Sequence, residues 1–188
     1  MLSDIDLNGK LLIAMPSMTD PRFEQSVVFV CAHSSEGAMG LIINKLAEEL
    51  RLRDLLDQLK IDQSTKARDL PVHFGGPVEH GRGFVLHDYG YRSTISTLDV
   101  NDEFAMTATL DILEDLASGR GPVRNIIALG YAGWGPGQVE SEISQNAWLT
   151  VDADKAIVFD ADDGGKWQAA LGKLGINALM LSSEAGRA

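Results

Sequence analysis

Two glycine-rich segments of this sequence carry residue types that could bind a ligand or do acid–base chemistry. The first, GWGPGQVESE at residues 133–142, has three glycines within five positions and two glutamates, Glu140 and Glu142. Glycines let a backbone approach another group closely, and a following helix would offer free N–H groups to an anion. The segment lacks the lysine of a phosphate-binding P-loop and does not fit G-x-G-x-x-G. A structural turn and a ligand-binding loop therefore both stay open.

The second segment, HFGGPVEHG at residues 73–81, contains His73, Glu79 and His80, with His87 further along. Histidines and a carboxylate are the raw material of a metal site or an acid–base pair. The spacing matches no zinc motif, and a glycine-rich turn does not itself point two rings at each other. We therefore expect hydrogen-bonded or exposed histidines, no metal site and no cofactor.

The single cysteine, Cys31, follows an apolar run at residues 27–30. Apolar surroundings raise a thiol pKa, so we predict a buried, inert thiol rather than a nucleophile. One cysteine cannot form an intrachain disulfide. Ser17, Ser26 and Ser144 lie in no G-x-S-x-G elbow, so the signature of a serine hydrolase is missing.

Apolar runs and periodic spacing predict the elements that must position these residues. Runs bounded by glycine, proline or polar clusters predict strands at residues 10–16, 26–32, 40–44, 72–74, 84–87, 104–108, 126–132, 148–151 and 157–159. Helical spacing predicts helices at residues 50–60, from an N-cap at Thr109 to Gly119, at 140–145, and through Trp167 to Gly175.

The order of these elements indicates an α+β fold. The runs at residues 26–32 and 40–44 predict an antiparallel hairpin, residues 61–69 a surface loop, and residues 75–83 and 133–138 irregular glycine-rich structure. Strands and helices come in clusters without a regular βαβα rhythm. A strongly bent, mostly antiparallel sheet in a single domain, residues 1–188, fits this pattern.

Seven blocks of the sequence resemble the YqgE/AlgH family of bacterial proteins. They are GKLLIAMPSM (residues 9–18), DPRFEQSVVFVC (20–31), GAMGLIINK (37–45), FGGPV (74–78), GYAGWGPGQVESE (130–142), NAWL (146–149) and KWQAALGKLGI (166–176). The resemblance implies an α+β fold whose bent, barrel-containing sheet is surrounded by helices. It also implies a regulatory role, since the AlgH name reflects a role in alginate production and members are labelled transcriptional regulators. It implies no catalytic residue and no cofactor.

Composition limits the classes of partner. The 188 residues carry 16 Lys and Arg against 27 Asp and Glu, a formal net charge of −11. Phosphate backbones are bound mainly by basic side chains, and no Lys/Arg-lined helix or helix-turn-helix pattern occurs. The acidic amino terminus and short apolar runs fit neither a signal peptide nor a membrane span. We expect a cytoplasmic protein that binds neither membrane nor nucleic acid directly.

Our leading hypothesis is a non-enzymatic binding or regulatory protein with a small-molecule or protein partner, acting on transcription indirectly. Both glycine-rich segments would line one cleft, with Trp134 and Phe74 as its apolar walls and Asn44 and Gln138 as its polar contacts. The candidate ligand-binding residues are Asn44, Phe74, Gly75, Gly76, Pro77, Gly133, Trp134, Gly135, Gly137, Gln138 and Glu140. The alternatives are a small-molecule hydrolase or lyase that pairs His73 or His80 with Glu140 or Glu142, and a scaffold with purely structural loops.

The net charge leads to a first prediction. Binding to duplex DNA is expected to be non-specific, with a Kd weaker than roughly 10⁻⁵ M at physiological salt, because few cations are available to release counterions. A gel-shift assay at several salt concentrations measures this. Sub-micromolar, sequence-selective retention would contradict it.

Overall fold

The computed structural model describes residues 5–177 and residue 179; the ends of the predicted domain lie partly outside these residues. Ten strands in this part of the chain form a curled antiparallel half-barrel sheet with several helices, which confirms the predicted α+β class. The strands are β1 (Lys10–Ala14), β2 (Val27–Ser34), β3 (Gly37–Ile42), β4 (Leu46–Arg51), β5 (Pro71–Phe74), β6 (Val78–Asp88), β7 (Leu98–Asp99), β8 (Phe104–Thr107), β9 (Asn125–Trp134) and β10 (Trp148–Asp152).

The sheet runs in the order β10-β1-β2-β3-β9-β6-β8-β7, with β5 attached to β9 and β4 attached to β5. Its ladders are antiparallel except for the parallel pair of β5 and β9. Strand β9 changes partners along its length. Residues 127–129 pair with β5 and residues 125–129 with β6, whereas residues 132–134 pair with β3. The two halves of the sheet therefore meet at β9.

Within residues 5–177, four α-helices cover the sheet: α1 (Leu52–Gln58), α2 (Leu110–Ala117), α3 (Gln138–Ser144) and α4 (Asp163–Lys173). Helices α1 and α2 pack together over β5, β6 and β9. Helix α2 follows Thr109 and ends before Gly119, whose φ is +81°, as predicted for the position after a C-cap. None of the helices in the described part of the chain has the length and apolar character needed to cross a membrane.

The strands β1 and β2 are apolar at nearly every position because both faces of this part of the sheet are covered. In β1, Leu11 and Ile13 face a core that includes α4, whereas Leu12 and Ala14 face a second core that includes Trp134 and Trp148. Alternate residues of a strand point to opposite faces. The run KLLIA therefore contributes to two cores at once.

One predicted strand is wrong. Residues 157–159 lie in a π-helical turn, Ala156–Asp160, which directly precedes α4. A short apolar run does not distinguish a strand from a buried turn of helix. Ile157 and Val158 are both buried although they are adjacent, which an alternating strand with one exposed face would not allow.

Glycine content misled the prediction at two further places. Strand β6 begins at Val78 and continues through Gly81 and Gly83 with an irregular register, although this stretch was predicted to be irregular. Gly133 and Trp134 belong to the end of β9 rather than to the loop after it. The sequence analysis also missed β4 and the two-residue strand β7.

The turn between β5 and β6 depends on the absence of a side chain at Gly76. A Cβ there would lie 2.0 Å from the carbonyl carbon of Tyr131, and the φ of this residue is +156°. At Gly75 a Cβ would lie 2.3 Å from the carbonyl oxygen of Gly130. The turn is therefore pressed against the backbone of β9, where a Cβ has no room.

This contact predicts that Gly76→Ala lowers the free energy of unfolding by about 3 kcal/mol or more, because backbone on both sides must move. The matched control is Gly81→Ala in β6, where a Cβ meets no atom within 4 Å and the change should stay within about 1 kcal/mol. Urea denaturation of both variants measures the difference. Equal stabilities would show that the close approach is not required.

Candidate functional site

The residues predicted to line a cleft mostly have structural partners. The Asn44 side chain accepts the backbone N–H of Val27 at 2.9 Å and donates to the carbonyl of Gln25, also at 2.9 Å. The Gln138 side chain accepts the N–H of Gly135 at 3.0 Å. These polar groups hold neighbouring backbone in place.

The two predicted apolar walls, Phe74 and Trp134, pack in the same hydrophobic core. Trp134 is only 7% exposed, and its ring lies edge-on to Trp148 with centroids 6.2 Å apart. A shallow groove lined by Gly133 and Trp134 contains none of residues 74–77. Pro77 is half-buried in the turn before β6.

The loop after β9 is exposed and one of its glycines has a positive φ. Gly137 has φ +73°, and a Cβ there would meet no atom within 4 Å. Gly135 and Pro136 are exposed as well. Backbone conformation, rather than close packing, therefore accounts for glycine at this position.

The two glutamates that follow this loop are bound to other side chains. Glu140 accepts a hydrogen bond from Nε2 of His33, whose Nδ1 accepts the N–H of Leu7. This bond lowers the pKa of the Glu140 carboxyl, although burial opposes the shift. Glu140 Oε2 is buried without a hydrogen-bond partner. The sequence analysis missed this contact because His33 lies 107 residues from Glu140.

Glu142 is shared by two tryptophans. Its Oε1 accepts the indole N–H of Trp134 at 3.3 Å and that of Trp148 at 3.1 Å. Buried indole N–H groups usually find an acceptor, and here one carboxylate serves both. Neither Glu140 nor Glu142 contacts His73, and His80 is exposed on β6.

The histidine that does lie in a cleft is His73, on β5. Its Nε2 is 3.0 Å from each carboxylate oxygen of Asp163, and its Nδ1 is 3.2 Å from the carbonyl oxygen of Ile127. Lys166, one turn further along α4, donates to Asp163 at 3.0 Å and to the carbonyl of Ile43 at 2.8 Å. His73 is 4% exposed and Lys166 is 1% exposed. We call these three side chains the His73–Asp163–Lys166 network.

One carboxylate serves two basic side chains in the network. His73 and Lys166 both contact Asp163, and the second ring nitrogen of His73 lies 3.2 Å from the carbonyl oxygen of Ile127. Lys166 has three N–H donors, two of which point to Asp163 and Ile43. Its contacts among the described residues leave the third N–H for an anion that enters the cleft.

Burial and neighbouring charges have opposite effects on the pKa values of Asp163 and Lys166. Burial raises the pKa of the Asp163 carboxyl, but the hydrogen bond from His73 and the charges of His73 and Lys166 outweigh it, so this pKa lies below its usual value. Burial lowers the pKa of the Lys166 ammonium, and Asp163 opposes that shift.

The network forms part of the lining of a cleft of about 580 Å³ between β5, the start of β9, the π-helical turn and the start of α4. Two arginines, Arg68 and Arg124, also line it. The Arg68 guanidinium donates to the carbonyls of Pro122 and Val123, whereas Arg124 forms an ion pair with Asp160 at 2.7 Å. Rare π-helical turns are often found at functional sites.

The cleft differs in charge from the rest of the protein. Its lining contains three basic residues (Arg68, Arg124, Lys166) and three acidic ones (Asp160, Asp162, Asp163), in addition to His73. The formal charge of −11 is therefore carried by residues outside the cleft. The formal charges of the lining therefore do not add to the repulsion that an anion meets from the rest of this acidic protein.

Of the three network residues, the sequence pattern indicated only His73. Asp163 and Lys166 were not predicted. The partner carboxylate lies 90 residues from His73, beyond the reach of any spacing motif. A local signal did exist: Lys166 precedes Trp167 and lies on the buried side of α4 with Ala170 and Leu171. A lysine on an apolar helix face requires a buried partner.

The described residues contain no group of three or more His, Cys, Asp and Glu side chains that could hold a metal ion. Cys31 is buried in β2, and burial raises the pKa of its thiol to about 12, as expected from its apolar neighbours.

Comparison with known proteins identifies the family. The family model described as AlgH-like matches residues 11–179. The chain belongs to the AlgH-like family. A UPF0301 protein of Ruegeria pomeroyi is 59% identical over 185 residues, which cover 98% of this chain and all of that protein. A UPF0301 protein of Cereibacter sphaeroides is 56% identical over 184 residues with the same coverage.

Two solved structures share the fold. The solution structure of the AlgH protein from Pseudomonas aeruginosa matches with a TM-score of 0.80 and 43% identity, over 96% of this chain and 95% of that one. A crystal structure of a Corynebacterium diphtheriae protein matches with a TM-score of 0.75 at 17% identity, over 97% of this chain and 94% of that one. The second likeness concerns the fold alone.

The position of Trp134 in the core leads to a prediction. Trp134→Ala should lower the free energy of unfolding by about 3–5 kcal/mol, because removal of the indole leaves a cavity beside Trp148. Gln138→Ala, in the exposed start of α3, is the control and should cost no more than about 1 kcal/mol. Thermal and urea unfolding measure both. An unchanged melting temperature for Trp134→Ala would instead favour a ligand-contacting role.

Proposed function

We propose that this protein is a non-enzymatic cytosolic binding protein that takes a small anion in the cleft beside the His73–Asp163–Lys166 network. We further propose that it regulates transcription indirectly, through a protein partner. The observation that carries the first part is that two basic side chains, Lys166 and Arg68, line the cleft. Lys166 shares the carboxylate of Asp163 with His73, and the Arg68 guanidinium contacts backbone carbonyls rather than a carboxylate among the described residues.

The regulatory part rests on different support. The chain belongs to a family whose AlgH name reflects regulation, and the net charge of −11 argues against direct contact with a phosphate backbone. An acidic surface is suited to a basic protein partner. Binding of an anion in the cleft would then be the signal that such a partner detects.

The geometry of His73 favours binding over hydrolysis. In an acid–base pair, the carboxylate orients one ring nitrogen and the other nitrogen stays free to exchange a proton with substrate. Here Asp163 holds Nε2 and the carbonyl of Ile127 holds Nδ1, so neither nitrogen is free. Glu140 and Glu142, the other partners considered for a hydrolase or lyase, are bound to His33 and to the two indoles.

Two variants of the network test the proposal, because the loss of a negative charge and the loss of a positive charge should change acetate affinity in opposite directions. Asp163→Asn removes the carboxylate that competes with the ligand and should tighten acetate binding about tenfold, whereas Lys166→Gln should weaken it about tenfold. A unit charge about 5 Å away at an effective dielectric constant of 20 contributes roughly 3 kcal/mol, so tenfold is a conservative expectation. Isothermal titration calorimetry with sodium acetate at constant ionic strength measures the affinities.

Glu114→Gln is the matched control for Asp163→Asn, since it also removes one negative charge but lies at an exposed position on α2 outside the cleft. It should leave acetate binding unchanged. Because Lys166→Gln removes a buried contact, near-ultraviolet circular dichroism should establish that it is folded, and Arg68→Gln provides a second, exposed cleft variant that should also weaken binding. Equal acetate affinity in all four variants and the wild type, or no acetate binding at all, would overturn the proposal.

A further inference from the structure

The volume of the cleft and the chemistry of its walls constrain the kind of anion it can take. About 580 Å³ is in the range of pockets that hold small organic molecules and far exceeds what an inorganic ion fills. The walls include Leu70, Ile126 and Phe159. Val123 lines the cleft and is 79% exposed, among the most exposed large apolar side chains of the described residues. A ligand that covered Val123 would remove apolar surface from water.

The charges in the cleft restrict the ligand to one negative charge. Two basic residues of the lining are already paired, Arg124 with Asp160 and Lys166 with Asp163. The remaining positive charge is that of Arg68, whose guanidinium contacts backbone carbonyls. Asp160 and Asp162 also line the cleft. A second negative charge on the ligand would meet these carboxylates rather than a free cation.

We propose that the ligand is a monocarboxylate with an aliphatic or aromatic body, whose carboxylate faces Lys166 and Arg68 and whose body contacts Val123 and Phe159. This inference rests on the proposed function, because it specifies the anion that the same cleft would bind. It adds two requirements that anion binding alone does not impose: an apolar body and a single charge.

A series of straight-chain carboxylates tests the first requirement. Affinity measured by isothermal titration calorimetry should rise from acetate through butyrate to hexanoate, by up to about threefold for each methylene group that becomes buried. Val123→Ser should flatten this increase, because the longer chains then cover a polar side chain instead of an apolar one. Ile95→Ser, at an exposed apolar position outside the cleft, is the control and should keep the full increase.

Dianions of similar size test the second requirement. Succinate and sulfate, which both carry two negative charges at neutral pH, are expected to bind more weakly than butyrate. Acetate binding without any gain for butyrate or hexanoate, or tighter binding of either dianion, would overturn the inference and leave the proposed function standing. Absence of binding by every anion in the series, acetate included, would overturn both.

Discussion

The fold depends on a contact between two stretches of backbone. The turn at Gly75 and Gly76 lies directly against Gly130 and Tyr131 of β9, and the following strand pairs with β9 on the other side of this contact. A chain with side chains at these positions would hold β5 and β6 away from β9. The parallel pairing of β5 with β9 would then be lost, and with it the position of His73. Backbone packing at Gly76 thus determines where the side chain of His73, three residues earlier in the chain, lies.

Helix α4 makes the second connection across the sheet. Lys166 donates to the carbonyl of Ile43, and the neighbouring Trp167 donates its indole N–H to the carbonyl of Ala14, both at 2.8 Å. The helix therefore satisfies carbonyl groups at the ends of two separate strands, while Asp163 reaches a third strand through His73. Buried ion pairs are weak stabilisers because their desolvation is expensive. The network also lines the cleft, where we propose that it contributes to anion binding.

Apolar runs predicted most of the sheet correctly, since β1, β2 and β9 are buried on both faces and show it in composition. Strand β4 was missed because its sequence, LAEELR, favours helix by composition and is mostly exposed, so only its pairing with β5 makes it a strand. The sequence predicted only part of the candidate site. His73 was identified as a residue that could bind a metal or take part in acid–base chemistry, but nothing near it in the sequence indicates Asp163. Long-range pairing decides such contacts, and one sequence shows only the short-range spacing.

The burial of the tryptophans has an optical consequence. All three tryptophans of the chain, Trp134, Trp148 and Trp167, lie in the interior, so the native emission comes entirely from shielded indoles. Trp134 and Trp148 share the carboxylate of Glu142 near α3, whereas Trp167 follows Lys166 in α4. The intrinsic fluorescence thus contains two spatially distinct probes. One reports on the core beneath the glycine-rich loop, and the other reports on the packing of α4 against the end of β1, where its indole N–H binds the carbonyl of Ala14.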